Sequence, residues 1–171
     1  MGLSDMLSQM SGFSETIQKE VALKQEEQAH AEAQAAHDAA ENQRKTTEFG
    51  ALVETAYLVA AADGRVSDSE MTRISQEISQ LTKGEIGESD VQAYMQTAAA
   101  NMESDGRDSR ISSVSSVISD PGLRRIALLI GAKVAWLDRG IGEKEGLTLQ
   151  AISRSFGIPI NEMHQLLGQA K

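Results

Sequence analysis

The chain has 171 residues, 40% of them apolar, enough for one domain with a real core plus an appendage. Its formal charge of −9, from 25 acidic against 16 basic residues, repels phosphate backbones and anionic lipid surfaces, so nucleic acid is not an expected partner. Cysteine is absent, which removes disulfides and thiolate chemistry; no run approaches the roughly 18 apolar residues that span a bilayer, and no basic-then-apolar leader opens the chain, so a soluble cytoplasmic protein is expected.

Aromatic residues make up only 4% of the chain, prolines number two and alanine recurs throughout, which favours helices over strands. Leu3, Met6, Leu7, Met10, Phe13, Ile17 and Val21 recur at three- and four-residue spacing and lay one apolar stripe along a first helix. This stripe is a candidate partner-binding surface, with packing on the protein's own domain or on a second copy as the alternatives. From Ser14 to Thr47 the chain is dominated by Ala, Glu, Gln and Lys, and its apolar face weakens to Ala29, Ala33, Ala36 and Ala40. That composition predicts a long, partly free helix ending near Gly50, so residues 1–48 are read as a helical extension and 49–171 as the domain.

Leu52, Val53, Ala56, Val59 and Ala60 mark the buried face of the domain's first helix, which ends at Asp63-Gly64. A second helix starts at Ser67, whose hydroxyl can cap free amides while Glu70 returns the bond three residues on. It turns Met71, Ile74, Ile78 and Leu81 inward. Ser89 or Asp90 is the predicted cap of a third helix, carrying Val91, Tyr94, Met95 and Ala98, and a short serine-rich helix is predicted from Ile111 to Ile118. Asp120-Pro121 is a start signal for the most apolar helix, Gly122 to Leu137, which is expected to be central. The last pair is placed from Glu143 to Phe156 and from Asn161 as a cap toward the C-terminus. The fold class is therefore all-α, a bundle of six to seven helices.

Sliding the chain along itself so that Asp63 falls on Asp138 brings Val66 onto Ile141, Asp68 onto Glu143 and Glu70 onto Glu145. Val59-Ala60 then lies over Val134-Ala135, and Ile74 over Leu149. Each copy is an apolar helix, a tight acidic turn and a second amphipathic helix, and two such units can pack about a pseudo-twofold axis. Glycine at the turn, an aliphatic plug and acids in a helix's first turn, where the macrodipole favours negative charge, account for most of the motif without any ligand. The duplication leaves a surplus of acid, chiefly Asp68 and Glu143. If the turns face one another, Asp63, Asp68, Glu70, Asp138, Glu143 and Glu145 crowd one surface, and a hard divalent cation, Ca²⁺, Mg²⁺ or Mn²⁺, or a basic protein partner would relieve their repulsion. Arg65 and Ser67 stand where an EF-hand loop needs acids, so that loop is excluded.

The stretches Val59-Ala-Ala-Ala-Asp-Gly-Arg-Val-Ser-Asp-Ser-Glu70, Gly131-Ala-Lys-Val-Ala-Trp-Leu-Asp-Arg-Gly-Ile-Gly-Glu-Lys-Glu145 and Ala151-Ile-Ser-Arg-Ser-Phe-Gly-Ile-Pro159 resemble the TerB family of bacterial tellurium-resistance proteins and the related N-terminal domain of the DjlA co-chaperone. The resemblance implies an all-α fold of two similar halves and a non-enzymatic role in resistance to tellurite and other stresses, beside other Ter-type proteins. It further implies a cytoplasmic setting, or one peripheral to an inner-membrane complex. Metal binding proposed for the family would fall on the same six carboxylates. In the second copy Arg139 follows Asp138 where the family has glycine, which partly neutralises the cluster.

Other features carry less. His30 and His37 share a helical face but lack a third ligand for zinc, His164 stands alone, and the serines from 112 to 116 lack a nucleophile elbow. Trp136 beside the second turn is either core or a partner contact. No catalytic residue is assigned, and the alternative function is a scaffold acting through the N-terminal helix with purely structural turns.

Overall fold

Every regular element described in the computed structural model is helical; the backbone is described for residues 3–137 and 140–171, and side chains from Glu15 onward within them. In chain order these are α1 (Leu3–Ala60), a 3-10 turn (Ala61–Asp63), α2 (Asp68–Leu81), α3 (Glu88–Asp105), α4 (Arg107–Val117), α5 (Pro121–Trp136), α6 (Glu143–Ser155) and α7 (Ile160–Gln169). The all-α bundle expected from composition is present. Among the described residues no helix is long and apolar enough to cross a membrane.

The chain divides into two units, Met1–Lys45 and Thr46–Lys171. The first lies within α1, and its side chains from Glu15 to Ala40 are exposed, including Ile17, Val21 and Leu23. Pairs one turn apart, Lys24 with Glu20 at 3.2 Å and Lys45 with Glu41 at 2.7 Å, add a few tenths of a kcal/mol each to its helicity.

The sequence places a break near Gly50, yet α1 runs through it. Glycine inside a helix costs about 1 kcal/mol against alanine, and packing offsets that cost here. A Cβ on Gly50 would stand 3.2 Å from the Tyr94 ring, which packs edge-on against Phe49 at a centroid distance of 5.3 Å. A small residue lets α3 approach α1 closely, so the glycine marks a helix contact and not a helix end.

Within Thr46–Lys171 the C-terminal part of α1 is the shared wall of two core clusters. Val53, Ala56 and Tyr57 pack with Ile74, Ile78, Val91 and Met95. Leu58 and Val59 pack with Leu128, Ala132, Leu149, Ile152 and Met163. Every residue from Val53 to Val59 is buried, Glu54 and Thr55 included, so α1 shares the centre with α5, the helix expected to be central. Leu81, expected inward, is 45% exposed.

Two predicted start signals are realised. Ser67 forms a full capping box with Glu70, and the Asp120 carboxylate accepts from the Leu123 amide at 2.8 Å with Pro121 in the first helical position. Two others shift: α3 starts at Glu88 after Gly87, and α7 starts at Ile160 after Pro159, ahead of the predicted caps Ser89 or Asp90 and Asn161. Gly87 and Pro159 hold extended backbone and offer no capping side chain, so they carry no signal of the usual kind. Helix α4 also begins earlier than Ile111, at Arg107.

Candidate functional site

Each repeat is an apolar helix, a turn and a second helix whose first turn carries two acids. In the first, α1 ends in the 3-10 turn at Asp63, and α2 opens with Asp68 and Glu70. Glu70 has work to do in the turn itself: its Oε2 accepts from the Ser67 amide at 2.7 Å and from the Ser67 hydroxyl at 2.6 Å, and its own amide donates to Ser67 Oγ at 3.3 Å. In the second, α6 opens with Glu143 and Glu145, and Glu145 Oε2 accepts from the Gly142 amide at 2.7 Å. Gly142 has no side chain to return the bond, so this box is half complete.

The repeats pack reciprocally. Helix α2 lies against α5, and α6 lies against the 3-10 turn that ends α1. This arrangement gathers Asp63 and Glu70 from one copy and Glu145 from the other around a cavity of about 50 Å³, with Ile74 and Val134 in its apolar wall. The volume falls far below the several hundred Å³ of a metabolite pocket.

Three of the six sequence-predicted carboxylates therefore line one cavity. Asp68 and Glu143 sit exposed at the first position of their helices and are not on the cavity wall, and Asp138 lies outside the described residues. The surplus acids, on which the sequence placed most weight, thus point to solvent, while the capping acids face the cavity. Among the described residues no three Asp, Glu or His side chains gather closely enough to hold a metal ion.

A residue the sequence reading did not single out completes the wall. Arg73 on α2 lines the cavity, and its guanidinium donates to the Leu137 carbonyl at 2.6 Å, across to the end of α5. The self-alignment that pairs Asp63 with Asp138 pairs Arg73 with Thr148, one of several positions at which a cation stands in only one copy.

The second turn is braced by Trp136. Gly140 has φ +94°, a conformation that favours glycine, and a Cβ there would stand 3.0 Å from the indole. Lys171 Nζ lies 5.0 Å from the ring centroid on the molecule's own surface. Trp136 packs against the core, so the ring expected either in the core or at a partner surface is held by internal contacts. Its Nε1 is buried and has no hydrogen-bond partner among the described residues. Of the expected N-terminal partner stripe, Ile17 is 54% exposed; the side chains of Leu3, Met6, Leu7, Met10 and Phe13 lie outside the described residues. His30, His37 and His164 are exposed. Ser112, Ser113 and Ser116 donate to carbonyls one turn back, and Ser115 donates to the Ser155 carbonyl at 2.7 Å.

Fold and site together define an all-helical protein in which two copies of a helix–acidic turn–helix motif both line one small, open cavity. No family model matches the chain, and neither a curated protein nor a solved structure gives a significant match.

Proposed function

We propose that the protein is a non-enzymatic, TerB-like stress-response module, of the tellurite-resistance type, that binds a cation between its paired acidic turns. The observation that carries this reading is the cavity to which Glu70 and Glu145, equivalent residues of the two copies, both contribute. Asp63, Glu70 and Glu145 bring three carboxylates to this wall beside the Arg73 guanidinium, and its size fits an ion or a side-chain tip. Lacking a set of three ligands at chelating spacing among the described residues, the site favours the ammonium or guanidinium of a basic protein partner, such as another Ter-type protein, over a bare divalent ion. Affinity for Ca²⁺, Mg²⁺ or Mn²⁺ alone would be on the order of 10⁻³ M, as in weak oxygen-ligand sites.

The test is calorimetric titration of the whole chain with each ion and, separately, with a short Lys/Arg peptide. Glu70→Gln/Glu145→Gln is the informative variant, because glutamine keeps both cap acceptors while removing both charges. Glu26→Gln/Glu27→Gln on the exposed extension removes the same charge elsewhere. Binding lost in the first pair and kept in the second supports the proposal; no heat with any probe at millimolar concentration ends it.

A second reading is supported by the first unit. Exposed from Glu15 to Ala40 and carrying Ile17, Val21 and Leu23 to solvent, it suits a scaffold whose helix recruits the domain to a complex or to a second copy. Deleting residues 1–45 and finding the same oligomeric state and the same captured partners would remove this reading.

A further inference from the structure

We propose that a second cavity, bounded by α1, α2, α3 and the stretch that joins α1 to α2, binds a free apolar α-amino acid, with the Tyr57 hydroxyl as its anchor. The cavity shares no lining residue with the one between the acidic turns, so the two sites stand or fall separately.

Its volume is about 500 Å³, within the range of roughly 300–1,000 Å³ that small-molecule pockets occupy. Val66, Met71, Ala99 and Met102 form the apolar wall, and methionine both adapts to the outline of an occupant and makes favourable contacts with aromatic rings. Tyr57 supplies the polar group. The residue is 8% exposed and packs in the core with Ile74, Val91 and Met95, yet it reaches the cavity wall. Its hydroxyl has no hydrogen-bond partner among the described residues. A buried phenol ordinarily finds one. Water can serve this hydroxyl in the empty cavity; an oxygen on a larger occupant serves it too and covers the apolar wall as well. Arg65 and Glu103 also line the cavity, with charged groups 4.0 Å apart and side chains 97% and 82% exposed. So exposed a pair contributes little and opens at small cost. Burial raises the Tyr57 hydroxyl above its ordinary value, with Arg65 opposing and Glu103 reinforcing that push. The phenol is therefore protonated at neutral pH and able to donate. A simple anion would be drawn to Arg65 and repelled by Glu103, and a simple cation the reverse. A zwitterion suits both: its carboxylate accepts from Tyr57 and Arg65, its ammonium pairs with Glu103, and its apolar side chain takes the wall of Val66, Met71, Ala99 and Met102.

The experiment titrates the full chain with L-phenylalanine and, separately, with 3-phenylpropionate and 2-phenylethylamine, each of which keeps the ring and only one of the two charges. Saturation-transfer NMR and calorimetry read the binding. L-phenylalanine is expected to saturate wild type and to bind at least roughly threefold more tightly than either analogue. Tyr57→Phe keeps the ring in the core and removes only the hydroxyl, so it should bind L-phenylalanine roughly three- to tenfold more weakly with its helical circular dichroism unchanged. Arg65→Gln and Glu103→Gln lie at exposed positions and carry the test whatever Tyr57→Phe does to folding. Arg65→Gln should weaken L-phenylalanine, and Glu103→Gln should bring 3-phenylpropionate level with it or ahead of it, a reversal of charge preference that a merely structural role would not produce. No saturable binding of L-phenylalanine to wild type overturns the proposal. So does a folded Tyr57→Phe that binds as tightly as wild type, and so does a charge preference that neither exposed variant alters.

Discussion

Replacing Arg110 with methionine tests a largely buried ion pair of the domain. Arg110 on α4 grips Glu54 on α1 through both carboxylate oxygens, at 2.7 and 3.0 Å, and reaches Asp105 with its remaining terminal nitrogen at 3.0 Å. The Glu54 side chain is 9% exposed and that of Arg110 18%, so neither charge recovers full hydration when its partner goes. Arg110 is held charged well above its ordinary range, first by the bond to Glu54, against an opposing push from burial. Breaking a buried pair costs about 3–5 kcal/mol, and the partial exposure of Arg110 argues for the lower end, about 3 kcal/mol. That corresponds to a Tm lowered by roughly 6–12 °C for a chain of this size. Glu54→Gln should cost less, about 1.5 kcal/mol, because Arg110 keeps Asp105 and some water. Urea denaturation of wild type, both single variants and the double variant gives the coupling, expected at about 1.5 kcal/mol and little changed in strong salt, since a buried pair is poorly screened. A loss under about 0.5 kcal/mol in Arg110→Met, or a coupling near zero, would refute the assignment of this pair to the core.

Three further outcomes are expected. Gly131→Ala places a Cβ 3.1 Å from Val59 and 3.5 Å from Leu149 at the crossing of α5 with α1 and α6; overpacking of about 1–3 kcal/mol exceeds the helix gain of about 1, so thermal melting should fall, and a rise would mean the crossing is slack. Gly142→Ser completes the second capping box at φ −73° and ψ 168°, which serine adopts freely, and should stabilise by a few tenths of a kcal/mol, read as a higher urea midpoint; a lower one would falsify the half-box. Burial raises the Tyr57 hydroxyl above its ordinary 10.0, so its contribution is complete below pH 10.0 and lost as pH rises through the raised value. Between about pH 9 and 11 wild type should therefore lose more stability than Tyr57→Phe, and parallel losses would discount the shift.

Much of the fold was legible because its signals are local. Ser67 and Glu70, or Asp120 and Pro121, state their capping chemistry within four residues. The continuity of α1 was not legible at Gly50, because what holds the helix there is the Tyr94 ring, a contact from a distant segment. The starts of α3 and α7 were misplaced because Gly87 and Pro159 cap through backbone shape alone, with no side chain to read. At the candidate site the duplicated turn predicted which elements meet, but not which carboxylates face inward. Helical phase decides that: Asp68 and Glu143 occupy first positions that point outward, while Glu70 and Glu145 fold back over their own turns. Glu54 was hidden for the opposite reason, as an acid inside an apolar run, recognisable only once Arg110 is brought against it from α4.

The incomplete cap at Gly142 sets an order of opening. The first turn is closed by bonds in both directions between Ser67 and Glu70, whereas the second is closed from one side only, so the start of α6 frays at lower free energy than the start of α2. Amide protons at the start of α6 are therefore expected to exchange sooner than those at the start of α2, which native-state hydrogen exchange on the whole chain would read.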